Sequence, residues 1–229
     1  MLHLPSTTPN YMLFLETGMN SLFSSTLKLH FCYINKVLNM NPQRLPWILA
    51  EAVLLKNVFW AKEWTDICQK VNFPPNSSSP LCTEWMKILD LVIIKEREEY
   101  TLNAISSQHH DMYPLLNYNV IPVLAENFSA HITCLLIKAR GGLLDLNGRS
   151  FTNNTTTLCT ICNINEDETT YHFLGVCPIY NDIRRRSFGK SHLCVNEVLT
   201  ILNGKNLYSL YKYLVQSSKY RKLIINEYN

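Results

Sequence analysis

The sequence predicts a mostly α chain, and three observations predict it. Only seven glycines occur in 229 residues, while Leu, Ile, Lys, Asn and Tyr are abundant, a composition that suits helices better than a turn-rich sandwich. Apolar residues recur three and four positions apart between Pro, Gly and Asn punctuation. One window, Cys159 to Cys177, breaks this pattern, being short, polar and acidic and holding three of the eight cysteines. At 47% hydrophobic and 17% charged the chain is globular rather than disordered.

Residues 1–10 hold two prolines and several hydroxyls and read as an irregular lead-in. A short helix is expected over Tyr11 to Thr17, stopped near Gly18. Asn20 or Ser21 can cap a second helix running to about Met40, with Leu22, Leu29, Tyr33, Val37 and Met40 on one face. Asn41-Pro42 ends it. Pro46 suits the first turn of a third helix that reaches Lys70 and breaks near Trp60. Trp47, Phe59, Trp60 and Trp64 read as inter-helix packing rather than as a platform for stacked bases.

Residues 72–80, NFPPNSSSP, form the clearest loop, and Ser79-Pro80 opens a helix to about Ser107 that is apolar at Leu81, Trp85, Ile88, Leu89, Val92 and Ile93. Its KEREE run reads as a solvated surface. His109-His110-Asp111 has no partner spaced to complete a metal site and reads as a surface turn. Asn127 to Arg140 is a further helix with Phe128, His131, Leu135 and Ile137 as buried candidates, ended by Gly141-Gly142. Pro178 starts a helix through Phe188, ended by Gly189, and helices over 191–203 and 206–224 follow, separated by Asn203-Gly204.

The window itself carries the chemistry. Cys159 and Cys162 are separated by two residues, the spacing with which a tight turn aims two sulfurs at one point. His172 and Cys177 are separated by four, so the first turns of a short helix can add an imidazole and a third sulfur. Three thiolates and an imidazole close a tetrahedral Zn²⁺ site with no open position, which is the structural form of zinc. Glu166, Asp167 and Glu168 are charged, and Thr157, Asn163 and Asn165 suit turns, so little between the ligands is apolar enough to fold without a metal. The expected fold class is therefore mostly α, a helical domain with a small Cys3His zinc-stapled module and C-terminal helices. The expected segments are 1–126, a helical region; 127–190, the zinc module with its lead-in helix; and 191–229, basic C-terminal helices.

Charge is uneven. Residues 1–158 balance at twelve Lys or Arg against twelve acids, whereas residues 178–229 hold nine Lys or Arg against Asp182, Glu197 and Glu227. Such an excess attracts polyanions. Arg184, Arg185 and Arg186, with Lys190, are the candidate phosphate-binding residues, and since successive helix positions point about 100° apart, one arginine should face inward and two outward.

Residues 159–186, with CTIC, the acidic run and YHFLGVCPIYNDIRRR, resemble the zinc-binding segment that follows the polymerase domain in reverse transcriptases of non-LTR retrotransposons. LPSTTPNYMLFLETGMNSL at 4–22 resembles that family's segment just beyond the polymerase, and IKARGGLLDLNGR at 137–149 resembles the approach to its zinc site. The resemblance implies a helical post-polymerase region, a structural zinc ion, contact with RNA or DNA through phosphates, and a reverse transcriptase core as a partner. No Tyr- or Phe-x-Asp-Asp motif occurs and no endonuclease segment precedes, so the resemblance implies no polymerase activity for this chain alone.

The expectation is thus a non-catalytic nucleic-acid-binding fragment. A zinc-stapled helical protein-interaction domain and a decayed retroelement fragment without selected function are the alternatives, and an enzyme is the poorest reading. The N-terminal apolar run breaks at Glu16 and no other reaches spanning length, so no membrane segment is expected. Cys32, Cys68, Cys82, Cys134 and Cys194 are scattered in apolar stretches as buried free thiols do, which points to the nucleus or cytoplasm. The sequons at Asn76, Asn127 and Asn154 would there go unused.

Overall fold

The computed structural model describes residues 3–73, 85–118, 127–148 and 156–228. The loop from 74 onward, the helix start at Ser79-Pro80, Leu81, Cys82, Arg149, the boundary at residue 126 and the sequons at Asn76 and Asn154 lie outside these residues. Within them the fold is mostly helical and contains no named strand, only an isolated bridge. The helices are α1 (Asn10–Thr17), α2 (Leu22–Leu38), α3 (Leu45–Lys56), α4 (Trp60–Lys70), α5 (Trp85–Ile105), α6 (Ala130–Arg140), α7 (Asn181–Phe188), α8 (Val195–Leu202) and α9 (Leu207–Tyr228). No described helix is long and apolar enough to cross a membrane.

The chain divides into two compact units, one of Met19–Glu99 and one of Met1–Gly18 with Tyr100–Asn229, so the boundary falls inside α5. This grouping differs from three consecutive segments, because α1 belongs with the second half of the chain. Glu16 on α1 is buried and receives two hydrogen bonds from the guanidinium of buried Arg140 on α6, at 2.7 and 3.0 Å. Arg140 also donates to the carbonyl of Leu202. Two charges withdrawn from water hold their place only when paired and hydrogen-bonded in this way.

In the unit of Met19–Glu99, Leu27, Phe31 and Ile34 of α2 meet Trp64 and Cys68 of α4 and Ile88, Leu89 and Val92 of α5. Phe31 and Trp64 pack edge to face at 4.7 Å. The buried face of α2 is therefore not the expected one: Leu22, Leu29 and Tyr33 are exposed, and only Val37 of that set is buried. Both sets recur at helical spacing, because α2 carries apolar residues around most of its circumference, and the partner helices select Leu27, Phe31 and Ile34. Asn57 and Phe59, both at positive φ, break the chain between α3 and α4 where a break was expected. Trp64 is core and Trp60 half-buried, but Phe59 is exposed.

Ser21 caps α2, its hydroxyl oxygen accepting from the Ser24 amide at 3.0 Å. The same hydroxyl donates to Glu96 on α5, and so does that of Ser24, so one residue of the charged KEREE run is drawn onto α2. Ser21→Ala removes the cap and a hydrogen bond to a charged group. It should lower stability by about 1–2 kcal/mol in urea denaturation, with Ser21→Asp failing to rescue because of the facing carboxylate.

The second unit's core gathers Met12 and Leu15 of α1, Leu136 and Ile137 of α6, Val198 and Leu202 of α8, and Leu210, Tyr213 and Leu214 of α9. Cys159, Phe173, Leu174 and Cys177 belong to the same cluster, so the cysteine-rich window is part of the main core rather than a polar appendage. His131, expected in the core, is exposed, because the buried face of α6 runs through Thr133, Leu136, Ile137 and Arg140. His110, expected on a surface turn, is buried against Tyr113. Of the scattered thiols, Cys68 and Cys134 are buried and Cys32 and Cys194 are exposed. Burial pushes the Cys68 thiol up to about 11.

Candidate metal centre

Each ligand is positioned by local backbone chemistry. Leu158 pairs with Asp167 in an antiparallel bridge, extended by hydrogen bonds from Cys159 N–H to the Glu166 carbonyl at 2.8 Å and from Glu168 N–H to the Thr157 carbonyl at 2.9 Å. The chain reverses between them through Asn163 and Asn165, both left-handed, a conformation asparagine tolerates better than most residues. Cys159 and Cys162 stand on this turn.

The second ligand pair uses a device that spacing alone did not reveal. In an α-helix, positions five apart point about 140° away from each other, which would separate His172 from Cys177. Instead His172–Val176 form one π-helical turn, closed by a hydrogen bond from Cys177 N–H to the His172 carbonyl at 2.8 Å. That wider turn returns Cys177 beneath His172, as single π turns do at functional sites. Gly175 sits where the turn meets the following loop, and a Cβ there would lie 2.9 Å from both the Leu193 carbonyl oxygen and the Tyr171 ring.

The candidate ligand atoms of Cys159, Cys162, His172 and Cys177 all lie within 4.8 Å of one another, so the four residues expected from spacing do come together and can hold a metal ion. Cys159, His172 and Cys177 are buried and Cys162 is half-buried. The imidazole presents Nε2 to the cluster, 3.5 Å from Cys162 Sγ, while Nδ1 lies 2.9 Å from a Glu166 carboxylate oxygen. A carboxylate on the far nitrogen fixes ring orientation and makes Nε2 the better donor.

The electrostatics point the same way. Cys159 is held far below the ordinary thiol range, principally by a hydrogen bond from Cys177, with a further one from His172, against the opposing effect of burial. Cys177 is pushed up by that same bond and by burial, and burial also raises Cys162. His172 is raised, chiefly by its hydrogen bond to Cys159. The cluster thus carries thiolate character with its remaining protons shared, an arrangement that a divalent cation completes by displacing them.

The acidic triplet is divided among three tasks. Glu166 holds His172, and Asp167 accepts from the Thr157 hydroxyl at 2.5 Å. Glu168 is buried and receives Arg221 of α9 through two bonds of 2.7 and 2.8 Å and the Asn147 amide at 2.8 Å. The sequence showed only a charged run between the ligands; the partner it could not reveal was Arg221, 53 residues away.

Arg184 requires a correction. Of the four candidate phosphate-binding residues it is fully buried, and its guanidinium donates to the carbonyls of Leu174 and Cys177 at 2.8 Å each, to Asn181 Oδ1 at 2.9 Å and to the Ser191 carbonyl. Fully buried and engaged in this way, it is out of reach of a phosphate. It clamps the last metal-binding turn to the loop after α7, and it is the inward-facing arginine. Arg185 and Arg186 are exposed, Arg185 making a surface ion pair with Asp182 at 3.7 Å. Lys190 is exposed and paired with Glu197.

Compared with known proteins, the chain matches no protein-family model, no curated protein and no solved structure.

Proposed function

We propose that the chain is a non-catalytic nucleic-acid-binding fragment, resembling the C-terminal region of a non-LTR retrotransposon reverse transcriptase and stapled by a structural zinc ion. The observation that carries the reading is a Cys3His cluster whose next helix, α7, presents Arg185 and Arg186 outward. Three thiolates and one imidazole are a zinc set, closed against substrate, so the ion's contribution is to hold the fold rather than to activate water. α9 adds exposed Lys212 to the basic surface. Flexible cations of this kind suit phosphates and carry no base specificity. RNA or DNA in the nucleus or cytoplasm is the expected ligand, with a separate reverse transcriptase core as a partner.

The reading includes no polymerase chemistry for this chain. That chemistry needs paired carboxylates free to hold Mg²⁺, and here the acidic triplet is occupied by His172, Thr157 and Arg221.

The test is a salt-titrated binding assay with structured RNA, single-stranded DNA and duplex DNA, on protein whose zinc content is measured first. Log affinity should fall linearly with log salt by several-fold per doubling, with little distinction among sequences. Binding of a protein ligand insensitive to salt, with no affinity for any of the three nucleic acids, would favour a zinc-stapled interaction domain instead.

A further inference from the structure

A groove of about 610 Å³ between α6 and α9, whose lining includes Phe173 but none of the four candidate metal ligands, falls within the about 300–1,000 Å³ that small-molecule sites occupy. Its floor is apolar, half-buried Leu135 and exposed Val215 over the core residues Leu143, Leu144 and Leu214. Its rim is cationic: Lys138 from α6 and Lys219 and Lys222 from α9 line it, against a single carboxylate, Asp145. Among the described residues none of these three lysines has an ion-pair partner, whereas Arg221 beside them is occupied by Glu168. Burying Leu side chains beneath unpaired ammonium groups matches a ligand with an apolar body and an anionic end. A nucleic-acid strand would leave the leucine floor unused.

We propose that this groove binds a single-chain amphiphilic anion, an aliphatic carboxylate whose chain lies on the Leu135–Leu143–Leu144–Leu214 floor and whose carboxylate meets Lys138, Lys219 and Lys222. The chain gains by leaving water, in proportion to its methylenes, and the headgroup gains by pairing with ammonium groups at a partly desolvated rim.

The zinc-loaded full chain is titrated calorimetrically with octanoate, decanoate and dodecanoate below their micelle concentrations, and with decanol as the neutral analogue. Decanoate should saturate at one per chain, each pair of methylenes should strengthen binding by about tenfold, and decanol should bind about tenfold more weakly. The triple variant Lys138→Gln, Lys219→Gln, Lys222→Gln should lose about tenfold for decanoate and nothing for decanol. Val215→Glu, a change at an exposed groove position, should exclude decanoate by charge while sparing decanol, so the proposal stays testable if the triple variant does not fold. Unsaturable binding, equal affinity for acid and alcohol, or decanoate affinity indifferent to both variants would overturn the proposal. So would displacement of decanoate by a short single-stranded oligonucleotide whose own affinity falls in the triple variant, which would assign the groove to nucleic acid.

Discussion

Serine in place of Cys162 should empty the metal site and unfold most of the chain outside residues 19–99. Apparent zinc-binding free energies in small structural sites are about 10–16 kcal/mol, comparable with or larger than the whole stability of a domain. The sequence alone suggested that the stretch between the ligands depends on the metal. The packing enlarges the effect, because Cys159 and Cys177 share one core with Phe173, Leu174 and Tyr213, and Tyr213 donates its hydroxyl to the Phe173 carbonyl at 2.5 Å. Helices α2 and α4 share a separate core with the first half of α5, and α2 to α4 should survive. Acidification should release the metal too, since ligands must be deprotonated to bind it, and Cys162, Cys177 and His172, all raised, take up protons early as pH falls. Hydrogen exchange with metal analysis reads both effects: protection should vanish in α6 to α9 and persist in α2 to α4. Full protection of α6 to α9 in metal-free protein would defeat the expectation. Cys194→Ser is the contrast, within about 0.5 kcal/mol, because that thiol is exposed at the start of α8, where serine caps at least as well.

Arg184→Gln should cost about 3 kcal/mol or more and weaken metal retention, whereas changing Arg185 and Arg186 together to Gln should leave both untouched. Gln cannot reach the four acceptors that Arg184 satisfies, so the carbonyls of Leu174, Cys177 and Ser191 would lose the guanidinium that donates to them. The exposed pair holds only a surface contact to Asp182 and the α7 backbone, and such contacts contribute little. If α7 faces phosphates, the double variant should lower the salt slope by nearly two, since each contact releases about one counterion. Unchanged affinity at full zinc occupancy would remove α7 from the binding surface. A triple change including Arg184 cannot make this distinction, because it would disturb fold and binding together.

Much of this architecture was legible because it rests on local chemistry. Gly18, Asn57 and Gly189 stop helices in left-handed conformations, Ser21 caps α2, and the four metal ligands are close in sequence. What escaped was decided by distant partners. The face of α2 was settled by Trp64 and Ile88, the burial of Glu168 by Arg221, and that of Glu16 by Arg140, 124 residues away. The burial of Arg184 was half legible: periodicity said that one arginine of three faces inward, but only the carbonyls around it determine which. The π turn was hidden because a four-residue gap between ligands does not reveal which helical hydrogen bond closes it.

The discontinuous unit has a consequence for biosynthesis. α1 is made before the rest of its own unit, and Met12, Leu15 and Glu16 find their partners beyond residue 99, Arg140 among them, after the whole of Met19–Glu99 has been made. At about 5–20 residues per second, α1 waits roughly 6–25 s for Arg140, and longer for Cys177. During that interval the helices of Met19–Glu99 can complete their own core, while α1 remains a short apolar segment carrying an unneutralised glutamate. That glutamate keeps the waiting segment in water, and becomes a buried anchor once Arg140 arrives.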